Sequence, residues 1–348
     1  MKNKLVLQWH LTNRCNKRCS HCYQEGYQNK EFTTEELLSI GNQYLELLDT
    51  YNRLYNINCK GHINITGGEP FLRDDIFEIL DFFRKNKGKI TFGILTNGSL
   101  LNEDTVRRLS RYKPRMVQVS LDGDKVTHDS IRGKGSYEEV INALRLLSKY
   151  DIKGIVSFTA NNKNYRLFPL VVKEARKNKA YKIWSDRMVP IGSSKNGDVR
   201  TLNRNEVIEY LSIMRKEKNR FINRISNTII SMDRSLQFLS GEESCYKCSA
   251  GDGLIIVLEN GDVLPCRRLP IKVGNVKENK LKDIYFSDTM KKLRYQCKIP
   301  PAQCEKCGFY SRCGGGAKCI SYGIYKDYTK ADYGCSIAYN NPIIETKS

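Results

Sequence analysis

From residue 1 to about 200, short apolar runs alternate with stretches in which apolar positions recur at helical spacing. The runs Leu5–Leu11, His62–Thr66, Lys89–Leu95, Met116–Leu121, Ile152–Phe158 and Tyr181–Arg187 predict strands. Helices are predicted between them. Thr33-Thr34-Glu35-Glu36 reads as an N-cap with an acidic first turn, ahead of Leu37, Leu38, Tyr44, Leu45 and Leu48. Asp74-Asp75 precedes Ile76, Ile79, Leu80 and Phe83 in the same manner. Asn102-Glu103-Asp104 and Ser136-Tyr137-Glu138-Glu139 open two more, and Asn203-Arg204-Asn205-Glu206 opens one running to about Asn219. Six β–α units of this kind predict an α/β fold with a parallel sheet, closed or partly closed as a barrel.

The pattern changes after about residue 220. Phe221, Ile225, Ile229 and Met232 keep helical spacing in a polar stretch, which reads as a bridge over 221–244. From 245 onward cysteine, glycine and turn residues dominate. Leu254–Leu258, Asn260-Gly261 and Asp262–Leu264 predict a β-hairpin with an Asn-Gly turn. Nine of the 13 cysteines follow residue 244. So little apolar sequence cannot build a core, and bound metal is expected to organise it. The expected division is a core over 1–220, the bridge over 221–244 and a cysteine-rich tail over 245–348.

No stretch of about 18 apolar residues exists, so no transmembrane helix is expected. The start, Met1 to His10, lacks a small-residue cleavage site and reads as a first strand. A cytoplasmic protein is the expectation, and that compartment disfavours disulfides. All but two of the 13 cysteines fall into two tight groups, as metal ligands do. The formal net charge of +20 counts them as thiols. Thiolates bound to clusters would lower it, and the remaining excess suits an acidic partner or a dispersed solvated lysine surface.

Cys15, Cys19 and Cys22 form C-x3-C-x2-C directly after the first strand. Three thiolates so close can hold one side of a cubic iron–sulfur cluster and leave the fourth iron open. A zinc site is the alternative, with His21 or His10 as a further ligand. Three more motifs follow at strand ends: Ile65-Thr66-Gly67-Gly68-Glu69-Pro70, Leu95-Thr96-Asn97-Gly98-Ser99 and Val119-Ser120-Leu121-Asp122-Gly123. Carboxyl ends of parallel strands are where α/β folds place ligands. With all four in this order, the sequence resembles the radical S-adenosylmethionine (SAM) family.

The resemblance implies a partial (β/α)6 TIM-like barrel and a [4Fe–4S] cluster on Cys15, Cys19 and Cys22 whose open iron takes SAM. One electron would cleave SAM to methionine and a 5′-deoxyadenosyl radical that abstracts hydrogen from substrate. Carbonyls around Gly67 and Gly68, with Glu69 of the Gly-Gly-Glu-Pro70 turn, match the site for the SAM ammonium. Ser120 and Arg132 match positions that touch its carboxylate or ribose, although Arg132 could equally form a surface salt bridge. Met188-Val189-Pro190-Ile191-Gly192 matches the stretch that passes the adenine. His21, Tyr23, Asn97 and Asp122 complete the expected SAM surroundings.

In the tail, Cys248-x12-Gly261-x4-Cys266, then Cys304-x2-Cys307-x5-Cys313 and a distal cysteine, resembles the SPASM domain of radical SAM enzymes. The resemblance implies two auxiliary [4Fe–4S] clusters, for three in all. The expected ligands are Cys245, Cys248, Cys266 and Cys319 for the first, and Cys304, Cys307, Cys313 and Cys335 for the second. One departure stands out: position 317, usually a ligand, is alanine, and Cys319 would substitute for it. Cys59 is left over as a small apolar residue. Cys297 is also left over, either a spare ligand or a hydrogen-atom donor to a substrate radical.

SPASM enzymes mostly modify peptides. A maturase of a ribosomally made precursor peptide is therefore expected, installing a thioether, another crosslink or an inverted stereocentre. No fused N-terminal peptide-recognition domain is expected, so a separate leader-recognition protein could assist, with a flavodoxin or ferredoxin-type electron donor. An anaerobic sulfatase-maturase-like, formylglycine-forming enzyme and a cofactor-biosynthesis SPASM enzyme are the alternatives. Nucleic acid as a partner draws on charge alone, with no RNA-binding module to support it.

Overall fold

Seven parallel strands follow one another across a single sheet: β1 (Lys4–His10), β2 (Lys60–Thr66), β3 (Ile90–Thr96), β4 (Val117–Ser120), β5 (Gly154–Ala160), β6 (Lys182–Arg187) and β7 (Ile229–Ser231). The structure, a computed structural model, describes residues 4–24, 26–27, 31–195, 198–232, 234–242 and 245–339. The six expected strands match β1–β6 to within two residues at either end. Helices α1 (Thr34–Tyr55), α2 (Ile76–Lys85), α3 (Glu103–Ser110), α4 (Lys125–Arg132), α5 (Ser136–Lys149), α6 (Phe168–Lys177) and α7 (Arg204–Asn219) lie along the connections. The sheet is open, with β7 at one edge, so the barrel is partial.

Side-chain alternation along the strands separates core from cavity. Leu5, Leu7 and Trp9 of β1 are wholly buried in the apolar core, as are Ile63 and Ile65 of β2. The intervening residues Gln8, Asn64 and, from β4, Gln118 line the interior cavity. Helix starts follow local chemistry. Thr33 Oγ1 accepts from Glu36 N while the Glu36 carboxylate accepts from Thr33 N, a reciprocal capping box, and Asn203 with Glu206 repeats it at α7. Asp75 precedes α2 without capping it, because Arg73 and Thr34 occupy its carboxylate.

Two expectations need correction. The helical spacing of Phe221, Ile225, Ile229 and Met232 does not mark a helix. One turn, Phe221–Arg224, is followed by β7, which pairs with β6 in the register Lys182↔Ile229. Phe221 and Ile225 are exposed, so the spacing marks no buried face. The expected hairpin forms, as β8 (Leu254–Val257) and β9 (Asp262–Leu264), but it is not separate from the barrel. β8 pairs parallel with β1, Val6↔Leu254 to Trp9↔Val257, and β10 (Gly274–Asn275) closes this edge. Among the described residues, no helix is long and apolar enough to cross a membrane.

Candidate active site

The carboxyl ends of the strands open into a cavity of about 430 Å³, lined by Cys15, Cys19 and Cys22 together. The loop that carries them is sewn to the end of β2 and to the end of α4. Leu11 N donates to Thr66 O, Gly68 N to Thr12 O and Glu69 N to Arg14 O, while Ser20 N donates to Ile131 O at the end of α4. A Cβ on Gly67 would stand 2.2 Å from Thr12 O, and one on Gly68 would stand 2.1 Å from Arg14 O. These glycines are therefore required for the close approach of the cysteine loop, whatever ligand they also meet.

Each of the three sulfurs has a donor beside it. Asn97 Nδ2 lies 3.8 Å from Cys15 Sγ, Arg132 Nη1 lies 3.8 Å from Cys19 Sγ, and Gln24 N lies 3.4 Å from Cys22 Sγ. At Cys15 and Cys19 burial nevertheless raises the thiol, and Asn97 and Arg132 act against it. Arg132 is no surface residue. Its Nε donates to the wholly buried Asp122 at 2.5 Å, and Nη2 lies 3.1 Å from His21 Nε2. Burial alone would lower the Arg132 pKa, but Asp122 and Cys19 hold it above its ordinary value. Burial would likewise raise Asp122, and Arg132 with His21 brings it below the usual carboxylate range. His21 is lowered to about 4, chiefly by burial, so its ring is neutral at pH 7.

Of the expected SAM contacts, His21, Tyr23, Gly67, Gly68, Asn97, Ser120, Arg132 and Val189 line the cavity. Glu69, Pro70 and Asp122 are absent from its wall. The Glu69 carboxylate accepts from Thr96 Oγ1 at 2.8 Å and from Asn97 N at 2.8 Å, so it ties β2 to β3 beneath the turn. Pro70 opens a short 3-10 turn, Pro70–Leu72. Asp122 acts on the cavity through Arg132. Beyond Val189, a Cβ on Gly192 would stand 2.3 Å from Tyr23 C, so the strand-six loop also packs on the cysteine loop.

Sequence reasoning missed Asp186, Arg187, Arg267 and Arg268, all in the cavity wall. Asp186 and Arg187 end β6, and that strand-end position was the available signal. Asp186 is the sole carboxylate among the described lining residues. Arg268 at 2.5 Å and Arg234 at 3.7 Å hold it at about 2, against a burial effect in the other direction. Arg267 stacks on the Tyr23 ring, 4.5 Å from its centroid. Two buried polar atoms of the wall, His21 Nδ1 and Arg267 Nε, have no hydrogen-bond partner among the described residues. A polar, zwitterionic ligand such as SAM fits that wall.

Comparison with known proteins decides the family. The Radical SAM superfamily model matches residues 9–162, and the Iron-sulfur cluster-binding domain model, SPASM, matches residues 248–308. The chain is a radical SAM enzyme with a SPASM tail. It is 24% identical over 350 residues to the AdoMet-dependent heme synthase of Methanosarcina barkeri, covering 95% of each chain. It is 27% identical over 344 residues to the antilisterial bacteriocin subtilosin biosynthesis protein AlbA of Bacillus subtilis, covering 96% of this chain and 71% of AlbA. Its fold matches Streptococcus suis SuiB bound to precursor peptide SuiA with TM-score 0.71 at 19% identity, covering 97% and 76% of the two chains.

The SPASM tail reaches the SAM end of the barrel through Cys266, which lines the cavity beside Arg267 and Arg268. Its cysteines sort into two groups. Cys248, Cys266 and Cys319 share one apolar cluster with Val189, Ala250, Leu269 and Ile320. Cys304, Cys313 and Cys335 are buried in the main core. Burial first, then Cys313, Cys335 and Cys307, pushes Cys304 up to about 12. Cys245, expected with the first group, packs at the edge of the main core, and its charge helps to raise Cys313 after burial and Cys307. Among the described residues no three His, Cys, Asp or Glu side chains converge on a single-ion site.

Proposed function

We propose that the protein is a peptide maturase that installs a thioether, another crosslink or an inverted stereocentre in a ribosomally made precursor peptide. The reading is carried by one observation: Cys15, Cys19 and Cys22 share their cavity with Cys266, Arg267 and Arg268 of the tail. SAM and a substrate side chain would meet in that space, whose volume lies in the range of small-molecule sites. Likeness to AlbA and to the fold of SuiB supports a peptide as the substrate. The proposed division is a core over 1–220, a bridge over 221–244 and a tail over 245–348.

When bound, the cluster at Cys15, Cys19 and Cys22 supplies the electron that splits SAM into methionine and a 5′-deoxyadenosyl radical. The chain's own residues position the reactants. Arg132, fixed by Asp122, presents a guanidinium toward the SAM carboxylate, and Ser120 lies on the same wall. Gly67 and Gly68 offer carbonyls to the ammonium. Met188 and Val189 give an apolar edge for adenine. Gln8, Asn64 and Gln118 face the cavity with amide groups that match a peptide backbone. The tail would hold two further [4Fe–4S] clusters, for three in all. A flavodoxin or ferredoxin-type donor and a separate leader-recognition protein are the proposed partners.

Cofactor biosynthesis is the second reading, favoured by the full-length likeness to a heme synthase. Formylglycine formation is less well supported. It needs a carboxylate base, and the cavity's Asp186 is ion-paired and held at about 2. Anaerobic reconstitution with SAM and a candidate precursor peptide, read by mass spectrometry, tests the proposal. Loss of two hydrogens indicates a crosslink or oxidation. One deuterium gained in heavy water, with no mass change in ordinary water, indicates epimerisation. Turnover of a tetrapyrrole and of no peptide would overturn the maturase reading.

A further inference from the structure

We propose that Cys297, and not Cys245, completes the first tail cluster with Cys248, Cys266 and Cys319. The inference rests on the reading of the tail as a two-cluster domain. Cys297 caps the helix Asp288–Gln296, and two tethers bring that helix to the other three cysteines. On one side Arg294 Nε donates to Gly251 O at 2.5 Å, and Gly251 N donates to Pro265 O at 2.9 Å. The helix therefore sits over the junction between the segments that follow Cys248 and precede Cys266. On the other side Tyr328 packs in the apolar cluster of Cys248, Cys266 and Cys319, and its hydroxyl donates to Gln296 Oε1, one residue before Cys297. Cys248 and Cys266 are the thiols whose charge acts on Cys297.

Cys245 is held elsewhere. Cys245 and Cys297 both pack at the edge of the main core, but the charged groups around Cys245 are Arg312, Glu242 and Lys247, and its own charge acts on Cys313 of the second group. It can be dispensed with there, because Cys304, Cys307, Cys313 and Cys335 already make four.

Lys318 is the independent mark of an anion at this place. Its side chain is wholly buried, and Nζ has no hydrogen-bond partner among the described residues. Its charge acts on Cys248 and Cys297, and also on Cys304 of the second group and on Asp327, so it marks the cluster region of the tail while the two tethers assign the ligand. A buried, unpaired ammonium is costly unless an anion accompanies it. A [4Fe–4S] cluster with four thiolates is such an anion, and Cys297 would join it as thiolate after releasing its proton to solvent. Ala317 fits the same arrangement. Where the family usually has a ligand, its N–H donates to Asp332 at 2.7 Å, and Cys319 supplies the sulfur from within helix Lys318–Tyr325.

The test uses the full chain with Cys15, Cys19 and Cys22 changed to Ala, which leaves the tail clusters alone. This parent should bind about eight irons after anaerobic reconstitution. Cys297→Ala should lose up to about half of that iron, or give a three-iron EPR signal on mild oxidation, while Cys245→Ala matches the parent. Cys297→Ser, which keeps a weaker oxygen ligand, should retain iron and shift the EPR spectrum of the reduced cluster. The same behaviour in Cys245→Ala and Cys297→Ala, or loss confined to Cys245→Ala, overturns the assignment. A parent without tail iron refutes the two-cluster reading itself.

Discussion

Burial pushes the Glu69 carboxyl up to about 7, although Asn97 N, Thr96 and Phe71 N all donate to it. An unfolded glutamate titrates near 4.3, so between the two values the folded chain keeps a proton that the unfolded chain has released. The associated stability is present below about 4.3 and is lost as pH rises through about 7, by at most about 4 kcal/mol. Glu69→Gln should abolish this trend. Urea midpoints of cluster-free protein at pH 5 and pH 7.5 check it, and equal pH dependence in the two proteins would refute it. Gly68 is constrained by contact. With Arg14 O at 2.1 Å from a Cβ, Gly68→Ala must push the cysteine loop off the strand end. A loss of about 1–3 kcal/mol is expected, with less iron bound after reconstitution. Unchanged melting temperature and full iron would sink this account. The motif made Gly68 legible in the sequence, but its contact with a backbone 54 positions away did not show there.

The helices that could be read from the sequence are those whose start is a local event. Thr33 with Glu36 and Asn203 with Glu206 bond within four residues, so their chemistry is complete in the sequence. Thr33→Ala should cost about 1 kcal/mol through the lost N-cap, visible as a lower urea midpoint. A midpoint equal to wild type would mean that packing of Leu37, Tyr44 and Leu48 alone sets the start of α1. β7 is the opposite case. Its three residues pair with Lys182–Trp184 through backbone hydrogen bonds, and no alternation announces so short a strand. α4 was equally hidden. Its eight residues bury His128 and Ile131 alone, yet it delivers Arg132 to the cavity and offers Ile131 O to the cysteine loop. The early cysteines and the strand ends were thus readable as motifs, while the elements that hold them in place depend on distant partners.

At the scale of the whole molecule, a buried ion pair helps to fasten the SPASM tail to the barrel, alongside the Arg268–Asp186 pair and the pairing of β8 with β1. Arg187, at the end of β6, donates from Nη1 at 2.8 Å and Nη2 at 2.5 Å to the two carboxylate oxygens of Asp332. Both side chains are buried. The same carboxylate accepts from Ala317 N at 2.7 Å and Gly334 N at 2.9 Å, so it also binds the turns that lead to Cys319 and Cys335. A Cβ on Gly316 would stand 2.3 Å from Asp332 Cβ, which explains glycine there. Nothing in the spacing of the cysteines points to Asp332, because its partner lies 145 positions away. Asp332→Ala would leave a buried guanidinium without a counter-charge and two tail N–H groups without an acceptor. Breaking one partner of a buried pair costs about 3–5 kcal/mol, and here the cost falls on the segments carrying Cys319 and Cys335, one proposed ligand of each proposed tail cluster. The variant should therefore reconstitute with less tail iron and a lower melting temperature, while Cys15, Cys19 and Cys22, held by β2 and α4, keep their iron and SAM cleavage. Iron analysis and 5′-deoxyadenosine production measured on one preparation separate these effects. If SAM cleavage fell in step with iron, the tail and the barrel would have to be a single cooperative unit, and the pair could not be a fastening between them.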